Sequence, residues 1–387
     1  MKILIIANGY PTNKHPQWGC FEKDQALALQ AAGHKVIIMS IDGRFCFYWR
    51  KIGFSHIRDN GFEIYNIFWF PLVLIGCINR KWEFAIRHKM ALKLYNKIAK
   101  EQGRPDILYA HFLYNIASGV DIKKQYGIPL IGMEHWSILN QEKLPRYVVD
   151  MGNVAYKSAD QIISVSDSLR KIILQQFNRN SIVIHNMVGD IFINKEINCE
   201  KNINNGIDFV AVGSLIQRKG FDVLIRAFAE SNLKKEGARL TIIGEGEERN
   251  NLQQQINVAG LTNNIILEGQ KVKTEIVEIL HNSDVFVLAS RSETFGVVCI
   301  EAMATGLPVI ATACGGPEEF IDDANGLLVP VNDVEVLAIA LKKMHVNIHH
   351  YNRKEIADDC REKFSPSVIA GKLTTVFENI IRFSEKR

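Results

Sequence analysis

Nowhere in the 387 residues is there an apolar run long enough to cross a bilayer. The longest, Ile67–Ile78, is twelve residues with an internal proline, whereas a spanning helix needs about 20. The apolar stretch after Lys2 is five residues, short for a secretory leader and suited to a first buried strand. Cysteine is sparse and scattered: Cys20, Cys46, Cys77, Cys199, Cys299, Cys314 and Cys360. The number is odd and no two have metal-site or redox-pair spacing, so free thiols in a reducing cytosol are expected. Neither sign of charge dominates. A net charge of +4 predicts no nucleic-acid partner. No repeat of solenoid length and no low-complexity tail is present. The first strand runs into "NGYPTNKHPQWG" and not into G-x-G-x-x-G, which argues against a nicotinamide-dependent oxidoreductase.

What is present is a rhythm of short apolar runs alternating with amphipathic stretches, the mark of parallel βα units. "KILIIAN", "KVIIMSI", "DILYAHF", "PLIGMEH" and "QIISVSD" are the strands of a first half. "DFVAVGS", "LTIIGEG", "NIILEGQ", "VFVLAS" and "PVIATA" are those of a second. Being nearly all apolar, they predict sheets buried on both faces. Residues 1–188 and 207–364 are read as two doubly wound α/β domains. The Asn- and Lys-rich stretch 189–206 is their linker, and 365–387 a terminal helix that could pack back on the first domain. Two such sheets facing each other leave a cleft at the carboxyl ends of their strands, where ligands bind.

The stretch "SETFGVVCIEA", residues 292–302, places Glu293 and Glu301 eight positions apart. The expected local structure is a strand ending near Ser290, a polar loop, and a helix from Thr294–Phe295 that ends at Gly306 before Pro308. Pro317 would open another helix. Free amides at Phe295, Gly296 and Val297 could then bind phosphate or hydroxyl oxygen. A carboxylate accepts two hydrogen bonds from a diol. Either glutamate alone reads as a dipole complement or a solvated charge; the 37-residue unit around them, residues 285–321, reads as a site.

Other candidates lie at strand ends. Arg218 and Lys219 follow the strand in "VGSLIQRKG", where adjacent cations can neutralise a leaving diphosphate. "GEGEERNNL" carries too many acids for a phosphate loop and reads as a turn and helix start. Gly19 precedes the helix "FEKDQALALQAAGH". His111 and His135 both end predicted strands. No His, Cys or carboxylate set has metal spacing, and no Ser-His-Asp arrangement is legible. Aromatics mixed with Lys and Arg over residues 44–82 suit either a peripheral membrane contact or a packed insertion with a basic face.

Together with "GCFEKDQALAL", "EHWS", "ISVSDSLR", "VIHNMV" and "LEGQKVKTEI", these motifs resemble the retaining GT-B glycosyltransferases of group 4 (glycosyl transferases group 1) over essentially the full chain. The resemblance implies two Rossmann-like domains facing a central cleft and metal-independent transfer from a nucleoside diphosphate sugar, with no cofactor. Glu293 would contact the transferred sugar, Glu301 the ribose, and Thr294, Phe295, Gly296 and Val297 the sugar and diphosphate. Lys219 matches the family's diphosphate lysine. The companion arginine aligns with Ser214, a departure that Arg218 is the candidate to repair. Lys271–Val272 would border the base. Gly19 and His135 would face the donor sugar and acceptor, with His111 a further acceptor-side candidate. The implied acceptor is a glycan or lipid-linked glycan of cell-surface polysaccharide (lipopolysaccharide, capsule or exopolysaccharide), handled in the cytoplasm or at the cytoplasmic membrane face. A sugar-nucleotide epimerase or hydrolase, and a non-catalytic nucleotide-sugar-binding subunit, are the alternatives.

Overall fold

The computed structural model describes residues 1–12, 14–15, 18–43, 52–69, 80–194 and 206–385. The chain folds as two compact units, Met1–His185 with Pro366–Arg387, and Asn186–Ser365. Residues 44–51 and 70–79 of the basic, aromatic stretch, most of the expected linker, and Cys46, Cys77 and Cys199 lie outside the described residues. Among the described residues no helix is long and apolar enough to cross a membrane.

In the first unit the strands are β1 (Lys2–Ala7), β2 (Lys35–Asp42), β3 (Gly53–Asp59), β4 (Phe62–Phe68), β5 (Ile107–His111), β6 (Leu130–Glu134), β7 (Gln161–Ser164) and β8 (Ile182–Val183). They form one sheet in the order β3-β4-β2-β1-β5-β6-β7-β8. All pairs are parallel except β3–β4. Ile3 through Ala7 are fully buried, as expected where helices cover both faces. Those helices are α1 (Cys20–Ala31), α2 (Arg80–Gln102), α3 (Leu113–Tyr126), α4 (Arg146–Ser158) and α5 (Asp167–Phe177). The terminal helix, numbered α13 (Pro366–Glu385), packs on α1 and sets Phe377 5.0 Å from the ring of Tyr109. Strand order reverses between β1 and β5, so the loops after those strands open at a switch point, where doubly wound sheets bind ligands.

In the second unit a short α6 (Asp190–Ile193) precedes β9 (Asp208–Val212), α7 (Phe221–Ser231), β10 (Arg239–Ile243), α8 (Arg249–Val258) and β11 (Ile265–Gly269). Next come α9 (Lys273–Asn282), β12 (Val285–Leu288), α10 (Val297–Ala304), β13 (Val309–Thr312), β14 (Gly326–Val329), α11 (Val334–Asn347) and α12 (Arg353–Phe364). The sheet is wholly parallel, ordered β11-β10-β9-β12-β13-β14. That is the 3-2-1-4-5-6 order of dinucleotide-type folds, with its switch point between β9 and β12. Side-chain caps fix two helix starts: Asp333 accepts from Val336 N at 3.0 Å and Asn352 from Lys354 N at 3.1 Å.

The antiparallel β3–β4 hairpin and the short β8 and β14 go beyond the expected strands. Two local expectations are corrected. Helix α10 begins at Val297, because Gly296 stands at its N-cap with φ 92°, outside the helical region. Pro317 opens only a 3-10 turn, Pro317–Glu319.

Candidate active site

In the second unit, the loops after β9 and β12 meet at the switch point. Gly220, with φ 64°, is what lets them touch: a Cβ there would lie 2.0 Å from the carbonyl oxygen of Ala289. The preceding 3-10 turn, Gln217–Lys219, aims its last side chain across the gap. Lys219 Nζ sits 2.5 Å from Glu293 Oε1, and Ser290 Oγ donates to the same oxygen at 2.7 Å. Arg218 approaches the other carboxylate oxygen at 3.7 Å and donates to the Ser292 carbonyl at 3.1 Å. Glu293 is 8% exposed, so this carboxylate, paired and hydrogen-bonded, is held in one orientation.

β12 ends at Leu288, two residues before the expected end near Ser290, and Glu293 lies five residues beyond it. Its amide donates to Cys314 O at 3.0 Å, in an isolated bridge with Gly315. The glycine pair after β13 makes this approach possible: a Cβ on Gly316 would fall 2.2 Å from Phe295 Cα. Phe295 is fully buried among Phe320 and Phe364, with centroids at 5.1 and 5.8 Å. Its ring anchors the loop. Thr294 and the half-buried Val297 flank it, and Glu301 lies half-buried in α10. Burial pushes the Cys314 thiol up to about 12 and that of buried Cys299 well above its ordinary value. Both remain protonated, and neither is an active nucleophile at neutral pH.

Three further donor-side candidates have other surroundings. Ser214 is exposed in the loop after β9, where Leu215 N donates to Glu245 O and Glu248 N to Leu215 O, both at 2.9 Å. Lys271 pairs with Glu268 at 3.1 Å, and exposed Val272 caps α9 while its amide donates to Glu275 at 3.0 Å.

In the first unit, His111 ends β5 and His135 follows β6, and their rings come within 5.4 Å. His111 is fully buried, edge-on to Tyr109 at 4.6 Å, and neither ring nitrogen has a hydrogen-bond partner. His135 stacks on Phe112 at 4.0 Å. Burial lowers His135 to about 3 and holds His111 well below its usual value. Both imidazoles are therefore neutral, able to donate from one nitrogen and accept at the other, as a hydroxyl requires. Gly19, with φ 77°, heads α1, and Phe21 in its first turn lies 6.5 Å from the His135 ring.

One residue in these settings carries no mark in the sequence that singles it out. Glu134, fully buried, accepts from the amides of His135 at 3.0 Å and Trp136 at 2.9 Å, and from Tyr156 Oη at 2.7 Å. Burial raises it to about 7, and it fixes the turn that carries His135. A glutamate ahead of a histidine gives no sequence signal of this. Ser290, by contrast, lies inside the 37-residue motif and three residues from Glu293. Among the described residues, no group of three or more His, Cys, Asp or Glu is placed to hold a metal ion.

Residues 194–355 match the family Glycosyl transferases group 1, and residues 23–189 match Glycosyltransferase Family 4. Over 249 residues the chain is 31% identical to an uncharacterized glycosyltransferase of Methanocaldococcus jannaschii, covering 63% of this chain and 66% of that one. Over 136 residues it is 35% identical to the lipopolysaccharide core biosynthesis glycosyltransferase LpsE of Rhizobium meliloti, covering 35% of this chain and 38% of LpsE. The chain thus spans 66% of the first relative and 38% of the second. Anabaena HepE in complex with UDP shares the fold, with a TM-score of 0.76 and 18% identity over 98% of this chain and 100% of that chain. With both halves matched and both sheets doubly wound, the chain belongs to the GT-B glycosyltransferases whose two parts are the Glycosyltransferase Family 4 and Glycosyl transferases group 1 domains.

Proposed function

We propose that the chain is a retaining, metal-independent transferase that moves a hexose or N-acetylhexosamine from a nucleoside diphosphate sugar to a hydroxyl of a glycan or lipid-linked glycan. The observation that carries this reading is the Lys219–Glu293–Arg218 cluster at the switch point of the second unit. Lys219 has three N–H donors and spends one on Glu293, so it can hold the glutamate and a phosphate oxygen together. Arg218 adds a second positive charge, and the amides of Thr294–Val297 add uncharged donors. These groups stabilise the diphosphate as negative charge accumulates on it, the largest single contribution in such transfers.

Glu293 accepts hydrogen bonds from hydroxyls of the donor sugar, and Glu301 takes the ribose diol. The bond from the anomeric carbon to the diphosphate oxygen breaks, and its electron pair leaves on that oxygen. The acceptor oxygen bonds to the same face, and its proton passes to the departing phosphate. This same-face course uses no enzymic nucleophile. Neutral His135 and His111 supply the hydroxyl-matched partners on the acceptor side. HepE's complex with UDP supports a uridine nucleotide among the donors to test, and LpsE's role supports a cell-surface polysaccharide acceptor. Aromatic and basic residues of 44–82 would hold the enzyme at the membrane carrying that acceptor.

Incubation with UDP-, GDP- and ADP-sugars, with and without oligosaccharide acceptor, tests the reading. Transfer should require both substrates, persist in EDTA, and give a product whose anomeric proton coupling matches the donor's. Rapid donor conversion without acceptor would replace transfer by the epimerase or hydrolase reading, and an inverted product would remove the same-face course.

A further inference from the structure

Lys219 and Glu293 lie 74 residues apart in the chain, so something must fix the spacing of the two loops that carry them. Arg291 is that link. Its amide donates to Arg218 O at 2.8 Å, and its guanidinium donates to Gln217 O. The same guanidinium forms a two-pronged pair with Asp222, Nη1 to Oδ1 at 3.0 Å and Nη2 to Oδ2 at 2.8 Å. Arg291 thus grips the chain on both sides of Lys219, at Gln217 and Arg218 before it and at Asp222 after it, from a point two residues ahead of Glu293. Arg218 returns the contact through Ser292 O at 3.1 Å. Asp222 is tied down in turn, since Gln255 Nε2 donates to its carbonyl at 2.8 Å.

We infer that the Arg291–Asp222 pair is a positioning strut that presents Lys219 and Arg218 to the donor's diphosphate. The inference rests on the proposed function and extends it to two residues that touch neither sugar nor phosphate. Three features point this way. The planar fork of an arginine matches a carboxylate and main-chain carbonyls at once, which fixes angle as well as distance. The guanidinium is already engaged by three acceptors, so it is not a spare cation awaiting a ligand. The pair is also open to water, with the Arg291 side chain 30% and Asp222 39% exposed, and it lines a cavity of about 540 Å³ with Gln217, Arg218 and Phe221. Exposed ion pairs contribute little to stability, so the role of this one is geometric.

Calorimetric titration of the full chain with UDP, GDP and ADP, each against its own monophosphate, provides the test. For the nucleotide that binds, Arg291→Ala and Asp222→Asn should each weaken the diphosphate about ten-fold. Monophosphate affinity and melting temperature should stay near wild type. Arg291→Lys should recover only part of the loss, because an ammonium cannot span the same acceptors. The Asp222→Asn variant separates support from direct contact: it keeps the arginine, so undiminished or tighter diphosphate binding there would overturn the strut in favour of an arginine that binds phosphate itself. Wild-type affinity for the diphosphate in Arg291→Ala, or equal losses of both nucleotides, also overturns it. A wild-type chain that prefers none of the diphosphates overturns the donor reading and the strut with it. Should Arg291→Ala fail to fold, Asp222→Asn and Arg291→Lys carry the same test.

Discussion

Lys219→Ala is expected to lower the turnover number about a thousand-fold, the upper range for removing one preorganised group that stabilises developing negative charge. Two effects combine in that loss. The departing diphosphate loses its nearest cation, and Glu293 loses the partner that orients it at 2.5 Å. Because the Glu293 side chain is 9% exposed and that of Lys219 14%, the variant also leaves a mostly buried carboxylate with only Ser290 and the more distant Arg218. About 2 kcal/mol of unfolding free energy should be lost with it. Glu293→Gln keeps the shape but removes the charge, and should slow transfer about a hundred-fold or more. The double variant should be less impaired than the product of the single losses, since each change already disables the other group. Initial rates and urea unfolding on the four proteins test all of this. Strict multiplicativity of the two losses would show that the contact has no role in transfer.

Gly316→Ala should be among the most damaging additions of a methyl group near the site. Gly316 has φ −75° and ψ −41°, a conformation open to any residue, so backbone strain is not the reason. Space is: the new Cβ would meet Phe295 at Cα 2.2 Å, O 2.4 Å and C 2.5 Å, all main chain. Phe295 cannot retreat, because its ring is locked between Phe320 and Phe364. The loop 293–297 must shift instead. A loss of about 3 kcal/mol is expected, in the range of severe overpacking. Donor binding should fail even where the protein still folds. Gly371→Ala is the matched control. It lies inside α13 with nothing within 4 Å of the added methyl, and should stabilise by about 0.5–1 kcal/mol. Equal behaviour of the two variants in thermal unfolding would contradict the close-approach explanation.

The parts of the fold that could be read from sequence are those buried on both faces. β1, β2, β5 and β6 are dominated by apolar residues because helices cover each side, and residue type marks them. β3 could not be read that way. Its seven residues, GFSHIRD, lie at the edge of the sheet with none fully buried, so little in them demands a strand until the partner β4 is in place. The helix expected at Thr294–Phe295 starts later for a related reason. Gly296 is compatible with a helix in sequence, yet it takes φ 92°, and Pro317 packs 3.2 Å from where a Cβ would stand.

The candidate site divides along the same line. Glu293, Lys219 and Arg218 can each be named from position after an apolar run. Their contact cannot, because it depends on β12 lying beside β9, an adjacency set by strand order and not by any local pattern. Glu134 and Arg291 escape a reading of the sequence because their partners are main-chain groups and residues far along the chain. A charged residue held by main-chain groups leaves no spacing to detect.

The decisive measurement is a crystal structure of the full chain with the nucleotide sugar it turns over. The expected density has a pyrophosphate oxygen about 3 Å from Lys219 Nζ, a sugar hydroxyl on Glu293, and the ribose diol on Glu301. A pyrophosphate bound away from Lys219, with Glu293 still closed on the lysine and touching no sugar, would contradict it.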